Sequence, residues 1–396
     1  MSVSLIIFIS VLVIMACGIL GGMRPWRRVA AYESKPTGQQ ALPKISIVAY
    51  VLRDEDDLTS YVDTLLSQDY PDFEVILVCD ASAETTAVLS EKFENIENLK
   101  LTFIPPGSHN LSRRKLAQTL GIKRATGEVV LTTSTSVIPA SDKWLRSMAE
   151  PFADHDINIV CGYVHPEFRD FTGGAKWYRQ MDGVLTSTQW MLDAAEGYPY
   201  RGDGFNLAFR RHLFFDAKGY ASSLSLMDGD DDVFINEISS PGAGTLVLNP
   251  EAFVNTRWEN EANRLYIELK DRYCFTRKYL PKAPFLRASL LAWTNWLMLL
   301  AVAAIIISAV ILIRALDNGW YSDDIPSIII LGAALLVALE FWLFEILTYR
   351  KLAARLGAVR LFWAVVPFML WRPLGNFLFY INHYPTRKRH YTWVRN

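Results

Sequence analysis

Between Arg287 and Arg314 the chain runs for about 26 residues, Ala288–Ile313, without one charged side chain, which commits that stretch to a lipid bilayer. At about 1.5 Å of rise per residue, a helix of this length crosses the hydrocarbon core with some tilt. Two other runs behave alike. Val3–Met23 is uncharged and is followed, not preceded, by Arg24, Arg27 and Arg28, the reverse of a cleavable secretory leader. Ile325–Leu347 contains Glu340 and Glu345, which are expected to face a bundle interior or lie near the interface. Positive residues stay on the cytosolic side, so the N-terminus is expected outside and Arg24 onward in the cytosol. The same rule sends Asp317, Asp323 and Asp324 outward and returns the chain to Arg350, Lys351, Arg355 and Arg360. Leu361–Ile381 is interrupted by Pro367, Arg372 and Pro373. It is expected as a re-entrant or interfacial hairpin over 361–381, leaving the basic tail 382–396 inside. The expected order is therefore an anchor over 1–23, a linker over 24–43, a soluble domain over 44–280, spans over 288–313 and 325–347, the hairpin and the tail.

Within 44–280 the pattern is strand, loop, helix, repeated. Lys44–Tyr50 and Phe73–Cys79 are apolar on both faces, and helix 82–93, strand 99–104, helix 112–125 and strand 128–133 follow at one tempo. This alternation predicts an α/β, Rossmann-like domain with a parallel sheet covered by helices. Ligands of such sheets sit at the carboxyl ends of the strands, which makes Asp54, Asp80 and residues 134–136 neighbours in one crevice. The net charge of −1 provides no pull toward nucleic acid, and none is expected as a partner. Cys17, Cys79, Cys161 and Cys274 are widely separated and read as reduced thiols. His109, His155, His165 and His212 have no metal-ligand spacing.

Met227–Ile238 places Asp228, Asp230, Asp231 and Asp232 immediately ahead of a helix-like run. Carboxylates there serve as caps, but four exceed what a cap needs. Like charges this close raise at least one pKa and suit it to proton abstraction. From these residues alone, a cap, a general base and a metal site all stay open.

The stretches Ile45–Tyr50, Arg53-Asp54-Glu55, Ser67–Pro71 and Phe73–Ser82, in this order, resemble the opening half of a family 2 glycosyltransferase of GT-A fold. The resemblance extends over roughly 44–280 and is to the membrane-attached, bacterial type. It implies transfer of a sugar, with inversion, from a nucleotide-diphospho-sugar donor to a lipid-linked or surface-glycan acceptor at the cytoplasmic membrane, with membrane lipid as a further partner. It places Asp54, Glu55 and Asp80 on the donor nucleotide. Ser112–Ala117 resembles the family's basic patch, giving Arg113, Arg114 and Lys115 to the diphosphate, a role that suits clamping cations. Gly202–Arg210 resembles the acceptor-side strand, with Gly204 and Asn206, and leads to Gly229–Asp232, where Asp231 aligns with the general base and Asp230 stands beside it. Trp177 and Trp190 are candidates for sugar stacking or for core. Arg257-Trp258 and Lys270–Tyr273 lie where relatives carry a Gln-x-x-Arg-Trp-like motif; Arg272 is expected on the diphosphate or at the membrane surface.

One motif departs from the family. Pro139, Trp144 and Leu145 hold their places, but the Asp-x-Asp that normally binds a divalent cation reads Ser134-Thr135-Ser136. Hydroxyls are poor ligands for a hard dication. Mg or Mn is therefore an open expectation, with Asp80 or the Asp230–Asp232 cluster as substitute ligands or the Arg113–Lys115 patch as substitute charge. The same departure supports a rival, an inert domain acting as scaffold or regulator of an active partner. A transporter is disfavoured by the small number of spans. The broken Gln-x-x-Arg-Trp-like motif favours single additions over processive synthesis.

Overall fold

The computed structural model describes residues 3–21, 24–34, 41–51, 58–80, 83–105, 112–166, 175–257, 259–317, 325–358, 362–383 and 390–392. The chain forms two compact units: Met1–Ala31, Lys282–Ala354 and Ala358–Phe379 make one, and Tyr32–Pro281, Arg355–Gly357 and Tyr380–Asn396 the other.

The first unit is helical: α1 (Val3–Gly21), α2 (Pro25–Ala31), and, after the second unit, α11 (Lys282–Asp317), α12 (Ile325–Arg355) and α13 (Val365–His383). Two helices are long and apolar enough to cross a membrane, over Lys282–Ile311 and Leu331–Arg355, and a third if the bent pair α1–α2 is one span. Ile7, Ile14 and Cys17 pack against Met298, Ala301, Ile305, Ala334 and Ala338, while Trp293, Leu300, Ile307 and Leu336 are exposed. An outside this apolar suits lipid rather than water. Part of the expected linker is helix α2, and residues 365–381 of the expected hairpin belong to one helix with Pro373 inside it. Glu345 is buried and accepts from Trp26 Nε1 at 3.1 Å, pairing also with Arg27 and Arg24, which explains a carboxylate in an apolar run; Glu340 is exposed.

The second unit is built on a seven-stranded sheet, order β3-β2-β1-β4-β8-β6-β9. Its strands are β1 (Ile45–Val51), β2 (Phe73–Cys79), β3 (Leu99–Phe103), β4 (Val129–Ser134), β6 (Ile159–Cys161), β8 (Leu207–Arg210) and β9 (Gly244–Leu246). A smaller sheet joins β5 (Val137–Pro139), β10 (Val254–Thr256) and β7 (Val164–His165). The helices are α3 (Leu58–Leu66), α4 (Ala83–Phe93), α5 (Arg113–Arg124), α6 (Trp144–Ala149), α7 (Ala175–Ala195), α8 (Arg211–Asp216), α9 (Val233–Ile238) and α10 (Glu259–Thr276). β1, β2 and β4 are buried along almost their whole length, as strands covered on both faces require. The sheet is not wholly parallel as expected: β8 runs antiparallel to both β4 and β6. All four residues of β8 are buried, so no alternation betrays its direction. That reversal positions the site. With Thr132 opposite Leu207, the segment entering β8, Gly202–Asn206, arrives at the same edge as the carboxyl ends of β1, β2 and β4.

Candidate active site

At that edge Asp80 follows β2, and Arg113 in the first turn of α5 grips it with two hydrogen bonds, Nε to Oδ2 at 2.7 Å and Nη2 to Oδ1. Both side chains are partly exposed, so a ligand can reach the pair. Asp54 and Glu55 lie outside the described residues.

The aspartate cluster divides its labour. Asp232 is the cap of α9, accepting from Val233 N at 2.6 Å and from Thr276 Oγ1. Burial, then the charge of Asp231, pushes its pKa up to about 6. Asp230 takes Arg114 Nε at 2.7 Å and Gln118 Nε2 at 3.3 Å. Burial favours its protonated form, but Arg114, Arg272 and Lys115 outweigh this and hold it well below the usual carboxylate range. Asp231 pairs with Arg272 through Oδ2, which also accepts from Gly204 N at 3.3 Å and Tyr273 OH at 3.4 Å. Its other oxygen, Oδ1, is buried and without a hydrogen-bond partner among the described residues. One cluster is thus a cap, an ion pair and a carboxylate with a lone pair to spare. Burial opposes the charge of Arg272, yet Asp231 and Asp230 raise its pKa well above normal, so it stays a cation.

Two glycines make this packing feasible. Gly229 sits at φ +109, a conformation side chains avoid, and turns the chain into Asp230. A Cβ on Gly204 would lie 2.5 Å from Arg114 Nη2 and 3.0 Å from Asp231 Cβ, so a side chain there would displace the Arg114 guanidinium and crowd Asp231.

Two expected roles change. Lys115 is buried and spends its protons on Ser223 O at 2.7 Å, Ser223 Oγ at 3.0 Å and Leu226 O at 3.0 Å, which fastens the turn before the aspartates. Burial lowers its pKa to about 8. The signal was present: Lys115, Gln118 and Ile122 share one buried stripe of α5 at helical spacing. Asn206 is fully buried and is no acceptor contact. It accepts from Trp144 Nε1 at 3.0 Å and donates to Tyr163 O at 3.1 Å and Ala252 O at 2.9 Å, so its amide is consumed in tying elements together. Trp190 is buried as core, whereas Trp177 packs edge-on against Tyr178.

Ser134 and Ser136 close a tight turn, with Ser136 N donating to Ser134 Oγ at 3.3 Å and Arg257 N to Ser136 O at 3.0 Å. Among the described residues no group of three His, Cys, Asp or Glu side chains is arranged to hold a metal ion. Asp80 and Asp230 are each taken by an arginine, and the serines offer only neutral oxygens. With these pairings in place, the described residues do not present a donor set that fits a resident dication.

Other contributors were not singled out by the motifs. Arg201 is buried with its guanidinium 3.6 Å from the Tyr273 ring centroid, and Asp203, beside it, is pushed up to about 6 by burial and then by Asp231. His390, far away in sequence, bridges Asp228 and Asp271.

An otherwise parallel sheet with one antiparallel strand inside it, and a polar crevice at its carboxyl edge, is the GT-A class of α/β domain. Residues 46–212 match the sequence model described as glycosyl transferase family 2. The chain is similar to the poly(ribitol-phosphate) beta-N-acetylglucosaminyltransferase TarS of two Staphylococcus aureus strains, 31% identical over 90 residues. That match covers 22% of this chain and only 15% of TarS. Among solved structures, the mannosyltransferase PcManGT of Pyrobaculum calidifontis, in complex with GDP-Man and Mn2+, overlaps 85% of this chain and 98% of its own at 17% identity and TM-score 0.48. The crystal structure of Staphylococcus aureus TarS overlaps 59% of this chain and 39% of its own, at 16% identity and TM-score 0.37.

Proposed function

We propose that the chain is a membrane-attached, inverting glycosyltransferase that moves a sugar from a nucleotide-diphosphate donor to a lipid-linked or surface-glycan acceptor. The observation that carries this reading is Asp231, a carboxylate with one oxygen held by Arg272, Gly204 and Tyr273 and the other unpartnered, at the carboxyl edge of a family 2 domain. Asp231 takes the proton of an acceptor hydroxyl as its oxygen attacks the anomeric carbon; the bond to the diphosphate breaks on the opposite face. The departing charge is met by Arg113 and Arg114, now neutralised by Asp80 and Asp230. Donor arrival exchanges these partners, freeing Asp80 for ribose or base and the arginines for phosphate. No step runs through a metal ion. The apolar helices of the first unit hold the chain in the cytoplasmic membrane with the α/β domain in the cytosol, where a lipid-linked acceptor is within reach.

Calorimetry with UDP and GDP tests the donor half. Binding of one of them is expected, and Asp80→Ala should weaken it by about 2 kcal/mol, as for a hydrogen bond to a charged group. A nucleotide that binds equally to both proteins would remove Asp80 from the donor site. The rival scaffold reading draws on the neutral Ser134-Thr135-Ser136 turn and predicts co-purification with an active transferase.

A further inference from the structure

The stretch 390–392 lies within the α/β unit rather than trailing from it. Met227 N donates to His390 O at 2.7 Å and Thr392 N to Ser225 O at 3.0 Å, so the tail pairs like a strand with the turn ahead of Gly229. His390 stacks on Phe275 of α10 at 4.6 Å, and Lys278 Nζ donates to Tyr391 OH at 2.7 Å. Between these anchors the His390 ring spans two carboxylates: Nδ1 to Asp228 Oδ2 at 2.7 Å and Nε2 to Asp271 Oδ2 at 3.2 Å.

Both carboxylates are chain neighbours of the candidate base and its holders. Asp228 is three residues before Asp231, and Asp271 directly precedes Arg272 and Tyr273, the side chains that hold Asp231. We propose that His390 is a positioning residue: by bridging Asp228 and Asp271 it sets the separation of the Asp231 loop from α10, and so the geometry of the Asp231–Arg272 pair. The segment 390–392 is thereby a working part of the candidate active site, although among the described residues it does not touch the pair.

A ring that donates from both nitrogens must be the imidazolium, which only two anions would hold. Burial works against that charge, but the bonds to Asp228 and then Asp271 win and raise the His390 pKa to about 9. The other ionisable groups around the bridge are Lys278, Tyr279 and Tyr391 beside the ring and Arg272 and Lys115, which feel the charge of Asp228. A folded-state pKa above the ordinary value of about 6.5 contributes stability that is complete below that pH and is lost as pH rises through about 9. The bridge is therefore closed at neutral pH and opens in alkali.

Quench-flow hydrogen exchange on the detergent-purified full chain, normalised for the chemical exchange rate, tests this at pH 7 and pH 10. In the wild type, segments 225–232 and 270–279 should lose roughly tenfold protection between the two pH values while β1, β2 and β4 do not. His390→Gln, which cannot titrate, should abolish that pH response; His390→Ala should be unprotected at both pH values. A His390→Gln protein with the wild-type response, or a His390→Ala protein protected as wild type at pH 7, would overturn the proposal. If His390→Ala loses protection throughout the sheet, the His390→Gln result decides. A second arm rests on the transferase reading: His390→Ala should lower kcat roughly tenfold with donor KM unchanged, because it misplaces a base rather than removing a contact. Failure of that reading leaves the exchange result intact, whereas turnover that is unaltered or faster in His390→Ala counts against the positioning role.

Discussion

Asp231→Asn is expected to reduce sugar transfer by about a thousandfold while UDP or GDP binding changes little. The substitution is isosteric and removes the capacity to take a proton, together with the charge that pairs with Arg272. The amide still accepts from Gly204 N and Tyr273 OH, so the loop should keep its course. The donor contacts assigned to Asp80 and Arg113 lie elsewhere along the sheet edge. A single-turnover assay with saturating donor isolates the chemical step. Transfer within tenfold of the wild type would remove Asp231 as the base.

Arg272→Ala should have the largest effect on stability. Arg272 is buried between Asp231 and Asp230, and Asp231 has no other cation paired with it among the described residues. Truncation leaves a buried anion uncompensated, a loss of about 3–5 kcal/mol in denaturant unfolding. The pH dependence has a definite sign. Against burial, Arg114 and then Arg272 hold the Asp230 pKa down, so this contribution is present at neutral pH and falls away as Asp230 protonates in acid. The gap between wild type and variant should therefore narrow below about pH 4. Arg272→Lys should recover part of it, as a point charge without the fork. A neutral-pH loss below about 1 kcal/mol would overturn the structural role given to the Asp231–Arg272 pair.

Much of the fold was legible because its signals are local. β1, β2 and β4 are continuous apolar runs bounded by turns, and their parallel order follows from the helices between them. The direction of β8 was not, since four buried residues look alike from either end. At the site, motif order singled out Asp80, Arg113 and Asp231, but which partner each aspartate takes depends on Arg114, Arg272 and His390, distant in sequence. Repulsion within the cluster was rightly anticipated; its resolution by three separate cations is tertiary. Asn206 illustrates the limit of motif reasoning. A polar residue in a glycine-rich strand reads as a ligand contact, yet burial makes it a structural tie among Trp144, Tyr163 and Ala252.

In the proposed reaction this crevice transfers sugar by a carboxylate base, with arginines rather than a resident metal facing the diphosphate. The most direct measurement is transfer of labelled sugar from a panel of nucleotide-sugar donors by the purified full chain, with Mn or Mg and again with excess EDTA. Turnover with at least one donor is expected, persisting in EDTA. Turnover abolished by EDTA would hand the diphosphate to a metal ion, and neither binding nor turnover with any donor would contradict the transferase itself.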